Sequence, residues 1–206
     1  MRRKNNYIAI LALGGAALLL PGCGSNPQRI NPQSNQGLIT TNDINFKDWQ
    51  IAAEGAVNSL LQSGVLKRAD GRKSVVMVSV VKNSTSQHID TRIMTDKIRQ
   101  AILRSGQAVT TTAVGGNGPD DMATKQVRGL SEDEMFNQQT VQQNGTVIAP
   151  DMSLAGEIVQ QRAALGRTEE SYFFFHVTLT DLKTGLAVWE DNFEVAKQGT
   201  KPWMGW

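Results

Sequence analysis

Cys23 is the side chain best suited to covalent chemistry in this 206-residue sequence, because it is the sole cysteine. A thiolate is the best side-chain nucleophile for accepting a lipid group, and a single thiol cannot close a disulfide within the chain. It follows Leu20-Pro21-Gly22, and a small neighbour such as Gly22 allows the thiol to enter a modifying enzyme. We therefore expect Cys23 to be covalently modified. The alternative is a free thiol behind an ordinary secretory signal.

The residues before Cys23 have the layout of an export signal. Three basic residues at positions 2–4 precede an apolar run from Tyr7 to Leu20. A helix that crosses a membrane needs roughly 20 apolar residues, so this run is too short to span one and is typical of a cleaved signal peptide. Its Leu-x-Gly-Cys ending resembles the lipobox that lipoprotein signal peptidase reads. The sequence therefore predicts cleavage between Gly22 and Cys23.

The residues at the cleavage point also predict a destination. Two or three acyl chains on Cys23 would anchor the chain firmly, since each buried methylene contributes about 0.8 kcal/mol. Gly24 follows Cys23, whereas enterobacterial lipoproteins that stay in the inner membrane usually have Asp at that position. We therefore expect a lipid anchor on the periplasmic face of the outer membrane.

The charge of the mature chain gives no reason to expect a nucleic-acid partner. The full sequence has 21 basic and 19 acidic residues, and three of the basic residues lie in the predicted signal. Without the signal the net charge is −1. The sequence pI of 8.8 therefore does not indicate a basic binding surface.

The histidines, carboxylates and glycine-rich segment do not form a catalytic pattern. His88 lies in a predicted loop, His176 lies in an apolar segment, and no Cys-x-x-Cys or His-Glu-x-x-His spacing occurs. Glycines within 115–118 are followed by Asp120-Asp121 rather than by a phosphate-binding lysine. These carboxylates and Glu132-Asp133-Glu134 are more typical of helix starts than of acid-base catalysis. We predict no enzymatic activity, no metal and no cofactor.

Composition divides the chain into three regions. We predict a lipoprotein signal peptide at 1–22, a lipidated cysteine with a flexible tether at 23–45 and one globular periplasmic domain at 46–206. The tether is rich in Asn, Gln and Pro and has few large apolar residues, so it cannot bury enough surface to offset the entropy of ordering. The domain is long enough for one hydrophobic core.

Helices and strands are predicted to alternate in the first half of the domain, from the spacing of apolar residues and the turn signals. The predicted features are a helix from a cap at Asp48 to Gly64, a turn at Asp70-Gly71, a central strand at 74–81, a polar loop at 82–88, a helix from a cap at Asp90 to Gly106, and a short strand at 107–114.

The second half is predicted to be mostly strands. The predicted features are a capping box at Ser131–Glu134 that opens a short helix toward Gln143, strands at 153–162, 171–181 and 186–195, and a turn at Asp181–Gly185. Together these elements predict an α/β (α+β) fold with a mixed four- to five-stranded sheet and helices packed on it.

Three segments resemble a known family. Trp49 opens a helix, the Ser74–Thr85 strand ends in Asn83-Ser84-Thr85, and the last hairpin has Thr184-Gly185 four residues before Trp189. These features are similar to the LpoB-type lipoprotein activators of bifunctional penicillin-binding proteins. The Thr-Gly hairpin is also similar to the N-terminal domain of TolB and to the curli-secretion lipoprotein. The resemblance implies a fold like the N-terminal domain of TolB.

The resemblance also implies a function and a partner. The tethered domain is expected to pass through the peptidoglycan, to dock as a monomer on the regulatory domain of a bifunctional penicillin-binding protein, and to stimulate that synthase. Asn83, Thr85 and His88 are the predicted partner-binding residues, since they lie on an exposed loop beside a rigid strand.

Trp203 and Trp206 are either an interface anchor or a tail packed on the domain. The alternative is a structural or secretion-assembly lipoprotein of the curli-secretion or TolB type that acts as an oligomer.

Overall fold

Five strands form one mixed sheet in the computed structural model, which describes residues 29–31, 34, 37, 39–115 and 121–201. The elements in chain order are α1 (Phe46–Ser63), β1 (Ser74–Ser84), α2 (Arg92–Ser105), β2 (Ala108–Thr110), α3 (Ala123–Gly129), a 3₁₀ turn (Leu130–Glu132), β3 (Met152–Leu165), β4 (Thr168–Asp181) and β5 (Ala187–Thr200). Residues from Asn31 onward form one compact unit, and of the unit before it only Arg29 and Ile30 are described. The predicted α+β fold with a mixed sheet is confirmed.

The strand order in the sheet is β2-β1-β3-β4-β5. β1 is parallel to both of its neighbours, β2 and β3, whereas β3, β4 and β5 form an antiparallel meander. β1 therefore lies inside the sheet, as its apolar sequence predicted. The three strands of this meander were predicted, but each continues past at least one predicted end.

One face of the sheet forms the core. In β4, Phe173, Phe175, Val177 and Leu179 are buried, and the residues between them are half-buried. Side chains alternate between the two faces of a strand, so these four point to the same side. Residues of α1 and α2 belong to the same buried cluster, and the Trp49 ring meets the Phe175 ring edge-on with centroids 5.7 Å apart. Both helices therefore cover this face.

Two glycines allow close approach within this core. A Cβ on Gly156 would lie 2.8 Å from the carbonyl oxygen of His176 on the neighbouring strand, and a Cβ on Gly55 of α1 would lie 2.7 Å from the Phe193 ring. Atoms cannot approach so closely without a shift, and a strand backbone has little freedom to move. Glycine at 156 therefore permits the spacing between β3 and β4.

The N-cap of helix α1 lies three residues before the predicted cap at Asp48. Asn45 is the N-cap, and Asp48 is the third helical residue, whose carboxylate accepts a hydrogen bond from the Asn45 backbone N–H at 2.8 Å. This is a capping box, which satisfies backbone donors at both positions. The prediction of Asp48 as the cap was wrong. Asn45 and Asp48 both have side chains that can accept hydrogen bonds at a helix start, and the sequence alone does not distinguish them. The predicted end at Gly64 is confirmed, with φ of 72°.

The N-cap of helix α2 lies one residue after the predicted cap at Asp90. Thr91 is the N-cap, and the Asp90 carboxylate accepts from the backbone N–H of Arg92 at 3.0 Å and pairs with the Arg92 guanidinium. This guanidinium lowers the pKa of Asp90 to about 2. Gly106 ends the helix with φ of 69°, as predicted.

The boundaries of β1 and β2 differ from the prediction. β1 continues to Ser84, so the predicted polar loop at 82–88 is shorter and begins at Thr85. Lys82 and Ser84 remain in the strand because their side chains point to the exposed face, where polarity carries no cost. The predicted strand at 107–114 contains only the three residues of β2.

The predicted helix from Ser131 toward Gln143 is absent from the described structure. Ser131 and Glu132 belong to the 3₁₀ turn, and the hydroxyl of Ser131 donates to the Arg128 carbonyl at 2.8 Å. Residues 131–140 are all exposed. A capping pattern without an apolar face to bury does not sustain a helix here, since most helical stability in proteins comes from packing.

Residues 40–45, which we call the tether root, pack against the domain although they were assigned to the predicted tether. Ile44 is 5% exposed. The Asn42 side chain donates to the Glu169 carboxylate at 3.2 Å and accepts from the Ser171 hydroxyl at 3.1 Å. The tether root is therefore fixed to β4 by side-chain hydrogen bonds.

A buried ion pair joins the tether root, α1 and β5. The Lys197 ammonium lies 2.5 Å from the Asp48 carboxylate, and their side chains are 6% and 10% exposed. The same ammonium donates to the Asp43 carbonyl at 2.7 Å. A buried charge needs such compensation because its removal from water is costly.

Several sequence predictions lie outside the described residues. These are the cleavage and lipidation at Gly22 and Cys23, the role of Asp120, and the contacts of Trp203 and Trp206. Within 39–115 and 121–201, no helix has the length and apolarity needed to cross a membrane.

Replacing Lys197 by alanine should lower the free energy of unfolding by about 3 kcal/mol or more, because the Asp48 carboxylate would stay buried without its cation. Urea unfolding of both chains measures the loss. The matched control is Lys201→Ala, which removes a lysine paired with Glu169 at 2.7 Å but 57% exposed, and should cost less than about 1 kcal/mol. Equal losses in the two variants would contradict the role of the buried pair.

Candidate partner-contact surface

The end of β1 and the turn after it, residues 84–88, form what we call the contact loop. Exposure alternates along it: Ser84, Ser86 and His88 are exposed, while Thr85 and Gln87 are half-buried. The period of two that belongs to the strand thus continues into the loop. The contact loop therefore has an outward side that a partner can reach and an inward side that holds its conformation.

Asn83 and Thr85, two of the predicted partner-binding residues, serve the inward side. The Asn83 carboxamide oxygen accepts from the Thr85 backbone N–H at 3.0 Å and from its hydroxyl at 2.8 Å, and the Asn83 amide donates to the Gln87 carbonyl at 2.8 Å. This is an Asx-type turn. The two side chains position the loop, and they are half-buried.

His88, the third predicted residue, is exposed. Sequence reasoning missed Ser84 and Ser86, the other exposed residues of the contact loop. The strand alternation before the loop was the signal that could have found them, since it assigns even-numbered positions from 82 onward to the outside.

The contact loop continues into a row of side chains on the open face of the sheet. The backbone register aligns Ser84 with Val159, Val159 with Phe174, and Phe174 with Glu194. We call these four residues the open row. Val159 is 40% exposed and Phe174 is half-buried. Their side chains point away from α1 and α2, so the row presents an apolar centre between polar ends.

Charged and polar groups flank the open row on the side toward Lys82. The Glu157 carboxylate accepts from the Ser84 hydroxyl at 2.5 Å and pairs with the Lys82 ammonium at 2.9 Å. These hydrogen bonds hold the pKa of Glu157 below its ordinary range. The neighbouring row of the sheet aligns Glu157 with His176 and His176 with Asn192. The His176 Nδ1 lies 2.8 Å from the Asn192 carboxamide oxygen, and its Nε2 lies 3.2 Å from the Thr178 hydroxyl. An apolar centre with a polar rim is typical of a protein–protein interface.

A second candidate site is a cleft of about 610 Å³ near the start of β3, where Arg68, Asp70, Asp151, Asp181 and Lys183 contribute charged side chains. Most of its charged groups are paired or hydrogen-bonded within the protein. The Arg68 guanidinium lies 2.9 Å from the Asp70 carboxylate and 2.6 Å from the Asp151 carboxylate. The Asp181 carboxylate accepts from the backbone N–H groups of the following turn. This pairing explains the cleft as a structural ion network.

Neither region has side chains arranged as a metal site. Within the described ranges, no group of three or more His, Cys, Asp or Glu side chains is arranged to hold a metal ion. Asp121, from the predicted pair of carboxylates, is exposed and accepts from the backbone N–H of Ala123 at 3.0 Å. It therefore acts at the start of α3, as its position predicted.

A comparison with family models matches residues 48–195 to the family described as peptidoglycan-synthase activator LpoB. This match spans most of the chain and includes most of α1, strands β1 to β4, most of β5 and the whole open row. The matched family defines the class of protein as a peptidoglycan-synthase activator. The chain belongs to the LpoB family of peptidoglycan-synthase activators.

Solved structures with similarity to the chain include LpoB domains. The C-terminal domain of LpoB from Escherichia coli is 15% identical, with coverage of 72% of this chain and 98% of that chain and a TM-score of 0.42. The Salmonella enterica domain is 18% identical, with the same coverage and a TM-score of 0.40. Lipoprotein GNA1162 from Neisseria meningitidis is 10% identical, covers 61% and 83%, and has a TM-score of 0.36. All three scores are below 0.5, so the family assignment rests on the family model. No curated protein matches the chain.

Asn83→Ala should lower the free energy of unfolding by about 1–2 kcal/mol, because the loop loses hydrogen bonds at both ends of its turn. His88→Ala should change it by less than about 0.5 kcal/mol, since the imidazole is exposed. Thermal or urea unfolding of the two variants separates a loop-forming residue from a surface residue. A larger loss for His88→Ala than for Asn83→Ala would show that the inward and outward sides are wrongly assigned.

The stability supplied by Asp151 should depend on pH. Its carboxylate accepts from the Val75 backbone N–H at 2.9 Å and pairs with Arg68, and these interactions hold its pKa below the ordinary 3.8. The unfolded state then binds more protons than the folded state, so this stabilisation is present at neutral pH and is lost as pH falls through the folded pKa. Urea unfolding at pH 7 and near pH 3 should show a smaller difference between the wild type and Asp151→Asn at the lower pH. Parallel pH profiles would contradict this expectation.

Proposed function

We propose that this chain is an outer-membrane lipoprotein that binds and activates a bifunctional penicillin-binding protein. The observation that carries the proposal is the family match over residues 48–195. The signal, the lipobox and Cys23 support lipidation, and Gly24 supports transport to the outer membrane. The partner is expected to be a regulatory domain of the synthase, which reaches the periplasm from the inner membrane.

Activation by contact needs no catalytic group on this chain. A bound protein shifts its partner between conformations only by the difference in its affinity for them. The domain must therefore bind the active form of the synthase more tightly than the idle form. A coupling free energy of about 1–3 kcal/mol gives roughly a 5- to 150-fold change.

The contact surface is formed by the outward side of the contact loop and by the open row. Val159 and Phe174 supply apolar area at its centre, and Ser84, Ser86 and His88 supply hydrogen-bonding groups at one end. Aromatic residues near the centre of an interface often contribute most of the binding energy. Phe174 is therefore the residue expected to matter most.

Anchoring at Cys23 concentrates the domain near the cell wall. The part of the proposed tether between Cys23 and the tether root, Gly24 to Ile39, has 16 residues and extends to about 55 Å at most. A tethered domain is held at a high effective concentration within that distance. Mass spectrometry of the mature N-terminus tests the anchor, since an unacylated Cys23 would exclude it.

The activity is tested with the mature chain carrying Cys23→Ser, added to the bifunctional synthase of the same organism. Glycan polymerisation and peptide cross-linking should both increase. Phe174→Glu should weaken binding by about 30-fold or more, as for a hot-spot residue. The matched control is Phe136→Glu, which changes a phenylalanine that is 38% exposed in the segment between α3 and β3 and should leave activation unchanged. Absence of binding and stimulation by the unmodified surface would reject the proposal.

The oligomeric state separates this function from the secretion-assembly alternative. An activator that presents its open face to a synthase is expected to be a monomer in solution. Light scattering on the same Cys23→Ser chain measures its mass directly. A stable ring or larger oligomer would favour assembly.

A further inference from the structure

The contact loop is hydrogen-bonded to the tether root as well as to the sheet. The Ile44 backbone N–H donates to the Gln87 carboxamide oxygen at 2.8 Å, and the Gln87 amide donates to the Ile44 carbonyl at 3.2 Å. This reciprocal pair has the geometry of a backbone bridge. It joins positions 43 residues apart in the sequence, so it is a tertiary contact.

Two side chains of β3 connect the same two segments. Gln160 donates to the Asn42 carbonyl at 3.0 Å, and its carboxamide oxygen accepts from the Ser86 hydroxyl at 3.0 Å. Arg162 donates to the Asn42 carbonyl at 3.1 Å and to the Ser86 hydroxyl at 2.9 Å. Each side chain therefore bridges the tether root and the contact loop, and neither residue lies in the open row.

The tether root is itself fixed at its other contacts. Asp43 accepts from the buried Lys197, and Ile44 is buried in the core. The root is thus a rigid support rather than a second mobile loop. A loop that is hydrogen-bonded to a rigid support populates fewer conformations than a free one.

We propose that the tether root positions the contact loop for its partner, with Gln87 and Gln160 as positioning residues. The proposal rests on the proposed function for the identity of the partner, but the ordering of the loop by the root does not. In physical terms, the root keeps the binding-competent loop conformation populated. Without the bonds to the root, the apparent affinity would fall in proportion to the fraction of molecules that still have that conformation.

The expected kinetic signature differs from that of a lost contact. If the loop must first adopt its competent conformation, a loosened loop lowers the association rate. The dissociation rate stays nearly constant, because the bound loop is the same. Truncation of a residue that touches the partner acts mainly on the dissociation rate instead.

The test uses the full mature chain with Cys23→Ser and the variants Gln87→Met and Gln160→Met, which keep side-chain length and remove the hydrogen bonds to the root. The matched control is Gln126→Met on the exposed surface of α3. Hydrogen exchange of the free chain should be at least tenfold faster at the amides of Thr85, Gln87 and His88 in both variants and unchanged in the control. The Ser86 amide is left out because its N–H donates directly to the Gln160 carboxamide oxygen at 3.3 Å. Binding to the bifunctional synthase, measured by surface plasmon resonance, should show a several-fold lower association rate and an unchanged dissociation rate.

Each outcome decides a separate point. Unchanged exchange in the loop would overturn the positioning role, whatever the synthase does. Faster exchange with a loss confined to the dissociation rate would also overturn it, since the glutamines would then be contact residues. If the unmodified surface fails to bind the synthase, the proposed function is rejected, and the exchange rates alone decide whether the root orders the loop.

Discussion

The two helices α1 and α2 cover only one face of the sheet, and this constraint determines the role of almost every strand residue. Because side chains alternate along a strand, Phe173 and Phe175 are committed to the core and Phe174 between them to the open face. A shift of one residue in register would exchange these roles and bury polar residues of the open face such as His176. Gly156 helps to fix the register by admitting the His176 carbonyl at a distance that no side chain tolerates. The core and the contact surface are thus two consequences of one strand alignment.

The sequence predicted the elements that bury apolar residues and failed where local signals had no apolar face behind them. The apolar stripe of α2 and the apolar segments of β1 and β4 pack in the core, and the predicted helix and two strands were confirmed in type, with longer strands than predicted. Gly64 and Gly106 end their helices and Gly185 lies in its turn as predicted, because glycine adopts positive φ without steric cost. The capping pattern at Ser131 is purely local, and no core surface lies behind it. A cap without a packing partner carries little weight.

The candidate surface was predicted in part for a related reason. The position of the contact loop followed from a rigid strand ending in polar residues, which is visible in the sequence. The division of its residues into inward and outward sides was not, because Asn83 and Thr85 look like ideal exposed donors until their hydrogen bonds to one another are known. The bonds from Gln87, Gln160 and Arg162 to the tether root link residues that are distant in sequence. No pattern in a single sequence indicates such pairs.

The tether root would connect the proposed lipid anchor at Cys23 to the proposed contact surface. A tether that makes no contacts with its domain changes only the local concentration of that domain. Here the chain enters the domain at Asn42, and the groups that hold Asn42 also hold Ser86. An interface whose loops are ordered before binding loses less conformational entropy on association. A contact activator has only binding energy with which to shift its partner, so energy not used to order its own loop remains available for that shift. The hydrogen bonds between the tether root and the contact loop would therefore leave more of the binding energy of a small contact surface for the shift of its partner.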